Sequence, residues 1–274
     1  MSNRIWIIGL IVIIILAAGY VYLEKPELAK SITSLIIEEP KPEIKKIVTK
    51  TDVALIADPT GSTYQNYAIP QIDTNFISNL ADIIYQTGGG CVWLSYIDND
   101  SKNNSVLYFP VSSPLYKDRK PERNSGETYY EYDRRIKKYA TDTKYFTEDS
   151  LKNFYNYLLQ KEKFLKSCDD LLSRLYVKNS PANQWSDVIG SLNAAFYTLE
   201  TIRDSSVNKY LVCFSDLQQD TPHLNPSPVL HNIPGDIKFL AVNPVPGSSK
   251  MVTQNVIEID NPERVLEYIS NNNR

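Results

Sequence analysis

The apolar positions of this chain change their period repeatedly, and each change marks an element. Residues 53–57, Val53-Ala54-Leu55-Ile56-Ala57, form a continuous run of strand length. Over 72–86, Ile72, Phe76, Ile77, Leu80, Ile83 and Ile84 recur at helical spacing, and Gly88-Gly89-Gly90 stops that helix. Residues 91–97 give a second near-continuous strand. Asp98-Asn99-Asp100 supplies turn residues, and 105–111 reads as an antiparallel hairpin partner. Thr147-Glu148-Asp149 predicts the start of a long helix reaching about Tyr176. That helix carries Leu151, Phe154, Tyr155, Leu158, Leu159, Phe164, Leu165, Leu171, Leu172 and Leu175, an apolar stripe expected to pack on the sheet rather than meet a partner. Ser186 is expected to open the next helix, with Val188, Ile189, Leu192, Ala195, Phe196 and Leu199 on its buried side. Residues 210–214, 237–242 and 256–259 add strands, and 262–269 closes the chain as a helix with proline in its first turn. Strands alternating with helices predict an α/β fold, a doubly wound and mostly parallel sheet flanked by helices.

Two stretches stand outside this alternation at the start. Residues 5–23 hold no charge across 19 positions, long enough to cross the hydrocarbon core as one helix. Ala17-Ala18-Gly19 offers the small residues of a cleavable signal peptide as an alternative. The apolar run continues through Tyr20, Val21, Tyr22 and Leu23, which favours an uncleaved transmembrane anchor. A short polar N-terminus ordinarily stays inside, so a single-pass protein with an extracytoplasmic globular part is expected. Residues 24–50, rich in proline and alternating charge, read as an extended linker. The remaining 51–274 are enough for one domain with a sizeable core. Within it, 112–183 reads as an insertion. Its first part, 112–140, is dense in Lys, Arg, Glu and Tyr without a clean period, and is expected to be a surface insertion.

Candidate chemistry lies where strands end. Asp58-Pro59-Thr60-Gly61-Ser62 follows the first apolar run directly, presenting three oxygen-bearing side chains at a strand-to-loop boundary. Ligands bind at such boundaries in open α/β sheets, and Mg²⁺ takes carboxylate and hydroxyl oxygens. Ser186-Asp187 before a helix and Ser215-Asp216 after the strand at 210–214 extend the same chemistry. In this order the segments resemble the von Willebrand factor type A family, whose metal-ion-dependent adhesion site combines Asp-x-Ser-x-Ser with a distant Thr and a distant Asp. On that resemblance Asp58, Thr60 and Ser62 fill the first motif, Ser186 stands at the Thr position and Asp216 at the last. Each exchange keeps an oxygen ligand. The resemblance implies a Mg²⁺ or other divalent-cation site in which Thr60, Ser62 and Ser186 bind directly while Asp58 and Asp216 act through waters and supply charge. It also implies an open position, filled by an acidic side chain of a protein partner, and adhesion rather than catalysis.

Other readings of the same residues stay open. Asp58 can simply cap its loop and Ser186 its helix, giving a domain of the same fold without metal. A strand followed by Asp-x-Thr-Gly-Ser is also similar to the nucleophile loop of haloacid-dehalogenase-like phosphohydrolases, with Asp58 attacking phosphorus. That chemistry needs a lysine after an apolar strand, and Lys209 precedes its strand instead. His223 and His231, the two histidines, lie in a proline-rich loop and read as solvated. Three cysteines show no metal-ligand spacing, and buried or inert thiols are expected, with Cys91 and Cys213 kept apart by the first strand in the family's sheet order. Lys and Arg number 29 against 32 Asp and Glu, which leaves no electrostatic footprint for nucleic acid.

Overall fold

A computed structural model of the 274-residue chain describes residues 49–60, 70–101, 104–115, 120–177, 185–202, 204, 206–222, 229–248 and 255–273. The anchor at 5–23 and nearly all of the linker at 24–50 lie outside the described residues. Those described belong to one unit, Ile47–Tyr116 with Lys120–Arg274. Among the described residues no helix is long and apolar enough to cross a membrane.

Strands β1 (Thr51–Ala57), β2 (Gly90–Tyr96), β3 (Leu107–Val111), β4 (Asn208–Phe214), β5 (Ile237–Val242) and β6 (Val256–Ile259) form one sheet in the order β3-β2-β1-β4-β5-β6. All neighbours pair in parallel except β3, which runs antiparallel to β2 at one edge. Every residue of β1 is buried, because a central parallel strand is covered on both faces. Val53, Leu55 and Ala57 point into one core, and Ala54 and Ile56 into the other. Helices α1 (Thr74–Thr87), α2 (Tyr129–Leu175) and α4 (Pro262–Asn272) pack on the first side and α3 (Val188–Glu200) on the second. Helices on both faces of a mostly parallel sheet make the doubly wound α/β arrangement that the alternation predicts.

The glycine triplet does more than stop a helix. Gly88, Gly89 and Gly90 all have positive φ, at 129°, 78° and 144°. Gly90 pairs with Thr51 in the β1–β2 ladder, and a Cβ there would overlap the Thr51 carbonyl. The triplet thus returns the chain from α1 directly into β2, so α1 sits tightly over the sheet.

The long helix differs from expectation at its start. It begins at Tyr129, and its 47 residues run to Leu175. Thr147 lies inside it, donating its hydroxyl to the Thr143 carbonyl at 3.0 Å. The true start is a capping box: Thr128 accepts from the Glu131 N–H while the Glu131 carboxylate accepts from Thr128 N at 3.0 Å and Oγ1 at 2.7 Å. Apolar periodicity misses this half because its faces are largely polar and carry pairs such as Lys137–Asp133 at 2.7 Å.

Packing on the sheet belongs to the other half, through Tyr157, Phe164, Cys168, Leu171, Leu172 and Leu175. There Asp82 of α1 accepts from the Tyr157 hydroxyl and from Lys161, both at 2.7 Å. Leu151, Phe154, Tyr155, Leu158 and Leu159, expected on the sheet, are exposed instead. β1 lies between β2 and β4, so Cys91 and Cys213 are kept apart, and all three cysteines are free. Cys91 is only half-buried, its sulfur 3.3 Å from the Tyr108 hydroxyl.

Candidate metal centre

The sheet order reverses between β1 and β4, the place where an open α/β sheet parts its loops and leaves a crevice. Their register ends on the pair Ala57 and Phe214, so the next residues, Asp58 and Ser215, emerge side by side at the carboxyl edge. Asp58 is 1 % exposed. Its Oδ1 accepts from Thr60 N at 3.0 Å and Thr60 Oγ1 at 2.6 Å, and its Oδ2 accepts from Ser215 Oγ at 2.6 Å. Burial pushes the Asp58 carboxyl up from its ordinary pKa; the Ser215 and Thr60 hydrogen bonds pull it back, and the neighbouring Asp216 charge pushes it up again. Removal from water outweighs the hydrogen bonds.

Asp216 is also buried, and its Oδ1 accepts from Gln218 N at 2.9 Å. Its carbonyl accepts from Ser248 Oγ at 2.7 Å and Val245 N at 3.3 Å, which ties the β4 loop to the loop after β5. Ser215 Oγ accepts from Leu217 N at 2.9 Å, and Leu217 has φ of 59°, a conformation costly for a branched side chain. The chain turns sharply there and keeps both Ser215 and Asp216 at the strand end.

Ser186 sits elsewhere in its segment than expected. The residue capping α3 is Asp187, whose Oδ1 accepts from Gly190 N at 3.0 Å. Ser186, one position earlier, is buried and bridges Asp220 through its backbone at 2.9 and 3.0 Å. The Ser186 backbone N–H and carbonyl are both taken by the Asp220 bridge, so the cap falls to the next residue, whose carboxylate also suits the positive end of the helix. The Ser186 segment is nonetheless joined to the loop that carries Asp216, four residues before Asp220. Ser62 lies outside the described residues, as does His223. His231 donates its backbone N–H to Asn193 Oδ1 of α3 at 2.9 Å.

Asp187 is the member that the motif pattern overlooks. It is 0 % exposed and gathers three segments. Oδ2 accepts from Ser101 N at 3.1 Å, and Oδ1 accepts from Gln219 Nε2 at 3.2 Å as well as from Gly190. Gln219 in turn accepts from Ile189 N at 2.8 Å and donates to Thr221 Oγ1 at 2.8 Å. A Cβ on Gly190 would overlap the Asp187 carboxylate. Its sequence signal was present, an acid immediately before an apolar-periodic helix with glycine three residues on. Ser215 had a subtler one: it follows β4 as Asp58 follows β1.

Of the expected donors, Asp58, Thr60, Ser186 and Asp216 are described, and all carry oxygen, the ligand atom a hard cation takes. Thr60 Oγ1 has committed its one proton to Asp58, so what it can still offer is acceptor character. Among the described residues no Lys, Arg or His forms an ion pair with Asp58 or Asp216. No group of three or more His, Cys, Asp or Glu is placed to hold a metal among them either. In chemistry and charge, these oxygen-bearing residues suit a divalent cation.

No family model and no curated protein matches the chain. Among solved structures it is similar to proximal thread matrix protein 1 from the mussel byssus, at 11 % identity and a TM-score of 0.37, covering 81 % of this chain and 47 % of that one. A second structure of that protein, with a zinc-occupied MIDAS motif, aligns at 12 % identity and a TM-score of 0.38 over 83 % of this chain and 46 % of the other. The pilus adhesin SpaC of Lactobacillus rhamnosus GG, in an open conformation, aligns at 9 % identity and 0.42, over 83 % of this chain and 30 % of the adhesin. The chain thus spans less than half the length of each. All three scores lie below 0.5; strand order and register, not these likenesses, define the fold described above.

Proposed function

We propose that this chain is a von Willebrand factor type A-like module that binds a protein partner through a divalent cation held at the carboxyl edge of β1 and β4. The observation that carries this reading is the pairing of Asp58 with Asp216. Two buried carboxylates share one strand edge, close enough for one charge to raise the other's pKa, and no basic side chain among the described residues balances them. A cation there removes that repulsion. In this reading Thr60, Ser186 and Ser62 supply hydroxyl oxygens, Asp58 and Asp216 supply charge, and Ser215 and Asp187 hold the loops in place. The cation itself supplies an electropositive point for an acidic side chain of the partner. We propose binding rather than phosphoryl transfer, because the hydrogen bonds from Thr60 and Ser215 draw charge from both Asp58 oxygens and no lysine among the described residues pairs with it to balance a phosphate. We further propose that residues 5–23 anchor the chain in a membrane and that the module lies on the extracytoplasmic side.

Calorimetric titration of Mg²⁺ into the full chain in detergent micelles tests the site. Saturable binding is expected, lost in Asp58→Asn and in Asp216→Ala. An affinity equal in all three proteins would refute it. A phosphatase assay on the same samples is expected to show no turnover; release of phosphate that Asp58→Asn abolishes would establish the enzymatic reading instead.

A further inference from the structure

Among the described helices, three cover the first face of the sheet and α3 alone covers the second, leaving the β2–β3 hairpin bare there. On that bare part Trp93 is half-buried, its ring 5.5 Å from that of Tyr108, which is 53 % exposed. Between α3 and the hairpin runs a groove of about 440 Å³, a size that suits a small ligand. Its floor is Ala54, Trp93 and Ser95 of the sheet. Gly190, Ala194 and Ala195 leave room along the α3 wall, and Tyr197, Thr198 and His231 complete it.

The walls are fixed by the protein's own hydrogen bonds. Asn193 donates Nδ2 to the Val229 carbonyl at 2.8 Å and accepts from His231 N at 2.9 Å, which pins the 229–231 segment to α3. Asp187 holds two further lining residues, through the N–H groups of Ser101 and Gly190. A site ordered in advance spares its ligand that entropic cost.

The lining chemistry narrows the class of ligand. Among the described residues no Lys, Arg, Asp or Glu lines the groove, so an anion finds no balancing cation there and a cation no carboxylate. The hydroxyl protons of Ser95, Ser191 and Thr198 go to the carbonyls of Leu55, Tyr96 and Ala194, at 3.3, 3.4 and 2.9 Å. What these hydroxyls still offer is lone pairs, so the ligand must donate. The aromatic side chains add apolar ring surface. A neutral sugar ring meets both demands, with an apolar C–H face to lie on an aromatic ring and hydroxyls round its edge to donate. An extended peptide fits less well, because Pro110 in β3 blunts the adjoining sheet edge against strand addition.

We propose that the groove between α3 and the β2–β3 hairpin binds a neutral glycan, with a sugar ring packed on Trp93. This site does not depend on the proposed cation site.

The test uses the full chain in zwitterionic detergent micelles, since a detergent with a sugar headgroup would compete. An array of neutral, sialylated and sulfated glycans is probed with the wild type and variants, and a library of extended peptides is screened in parallel. The wild type is expected to retain neutral glycans, with no gain from acidic groups. Ala194→Leu, which fills the groove from α3, is expected to abolish binding. Tyr197→Ala, at a 70 % exposed position, is expected to weaken it about tenfold with the thermal melt retained, and decides the point if Ala194→Leu does not fold. Thr198→Val removes an acceptor at nearly constant volume and is expected to weaken it about fivefold. Absence of neutral-glycan binding overturns the proposal, as does a preference for acidic glycans or for peptides. Binding that Tyr197→Ala and Ala194→Leu both leave intact lies outside the groove and also refutes it.

Discussion

The carboxyl edge of β1 and β4 and the first half of α2 are opposite kinds of structure within one chain. At the edge, Asp58, Asp187 and Asp216 are each 3 % exposed or less, and backbone N–H groups, hydroxyls and the Gln219 amide hold their carboxylates at 2.6 to 3.2 Å. Along α2 before Leu151, charged side chains are largely solvated, and order comes from a capping box and local pairs. Polar groups out of water must be satisfied or they cost free energy, whereas polar groups in water cost little either way. Equal substitutions in the two regions should therefore have very unequal consequences.

The largest effect is expected at Asp187. Replacing it with Ala leaves the N–H groups of Ser101 and Gly190 without their acceptor inside the fold and takes one of two acceptors from the Gln219 amide. A loss of about 3 kcal/mol or more in denaturant unfolding is expected. Asp133→Ala on α2 removes only an exposed i, i+4 pair with Lys137, and is expected to change stability by less than about 0.5 kcal/mol. Similar losses from the two substitutions would contradict the contrast.

Next in size is Gly90→Ala. Its φ of 144° and the approach of the Thr51 carbonyl both exclude a Cβ. About 2 kcal/mol of destabilisation is expected, from strain at the start of the β1–β2 ladder. Gly126, with φ of 88° but open space around it, separates the two causes, because Gly126→Ala carries backbone strain without overlap. The smaller loss is expected there by the same unfolding assay.

A pH dependence sharpens the comparison further. The Asp58 carboxyl is raised in the folded protein, so the fold binds its proton more tightly than the unfolded chain does. The resulting stability is fully present below the ordinary carboxylate pKa and is lost as pH rises through the folded value. In metal-free buffer the wild type is expected to lose stability over that window, and Asp58→Asn, neutral throughout, to lose less. Divalent cation should reverse the order at neutral pH by stabilising only the wild type. Glu127 and Glu131 on the α2 side have lowered pKa values, held down by Arg135 and by Thr128. Their contribution runs the other way, present above the ordinary value and lost as pH falls. Unfolding midpoints measured from strongly acidic to neutral pH, with and without Mg²⁺, resolve the two signs.

The same contrast explains what the sequence makes legible. Strands with buried faces announce themselves, so the alternation of elements, the antiparallel hairpin and the strand ends carrying Asp58 and Asp216 were readable from apolar runs alone. The Thr128 start of α2 was written in a four-residue box that periodicity does not detect. The function of Asp187 was hidden for a different reason. Its partners Ser101 and Gln219 are 86 and 32 residues away, and only strand register brings their loops together. Ser215 shows that some of this is recoverable: once β1 and β4 are placed side by side, the residue after Phe214 must stand beside the residue after Ala57.

The smallest expected effect falls at Thr128. Thr128→Ala removes the hydroxyl that accepts from the Glu131 N–H at 3.3 Å, and such caps are worth about 1 kcal/mol when they hold a whole structural unit. Here the cap holds the free end of a helix whose other half is fixed to the sheet by Tyr157, Lys161 and Phe164. The loss should therefore appear as fraying of the first turns rather than as a lower global stability. Amide exchange is expected to quicken over 129–135 and to stay unchanged over 157–175. If the global unfolding free energy falls by the full cap value instead, the first half of α2 folds as one cooperative unit with the sheet, and the division between the two regions drawn above is wrong.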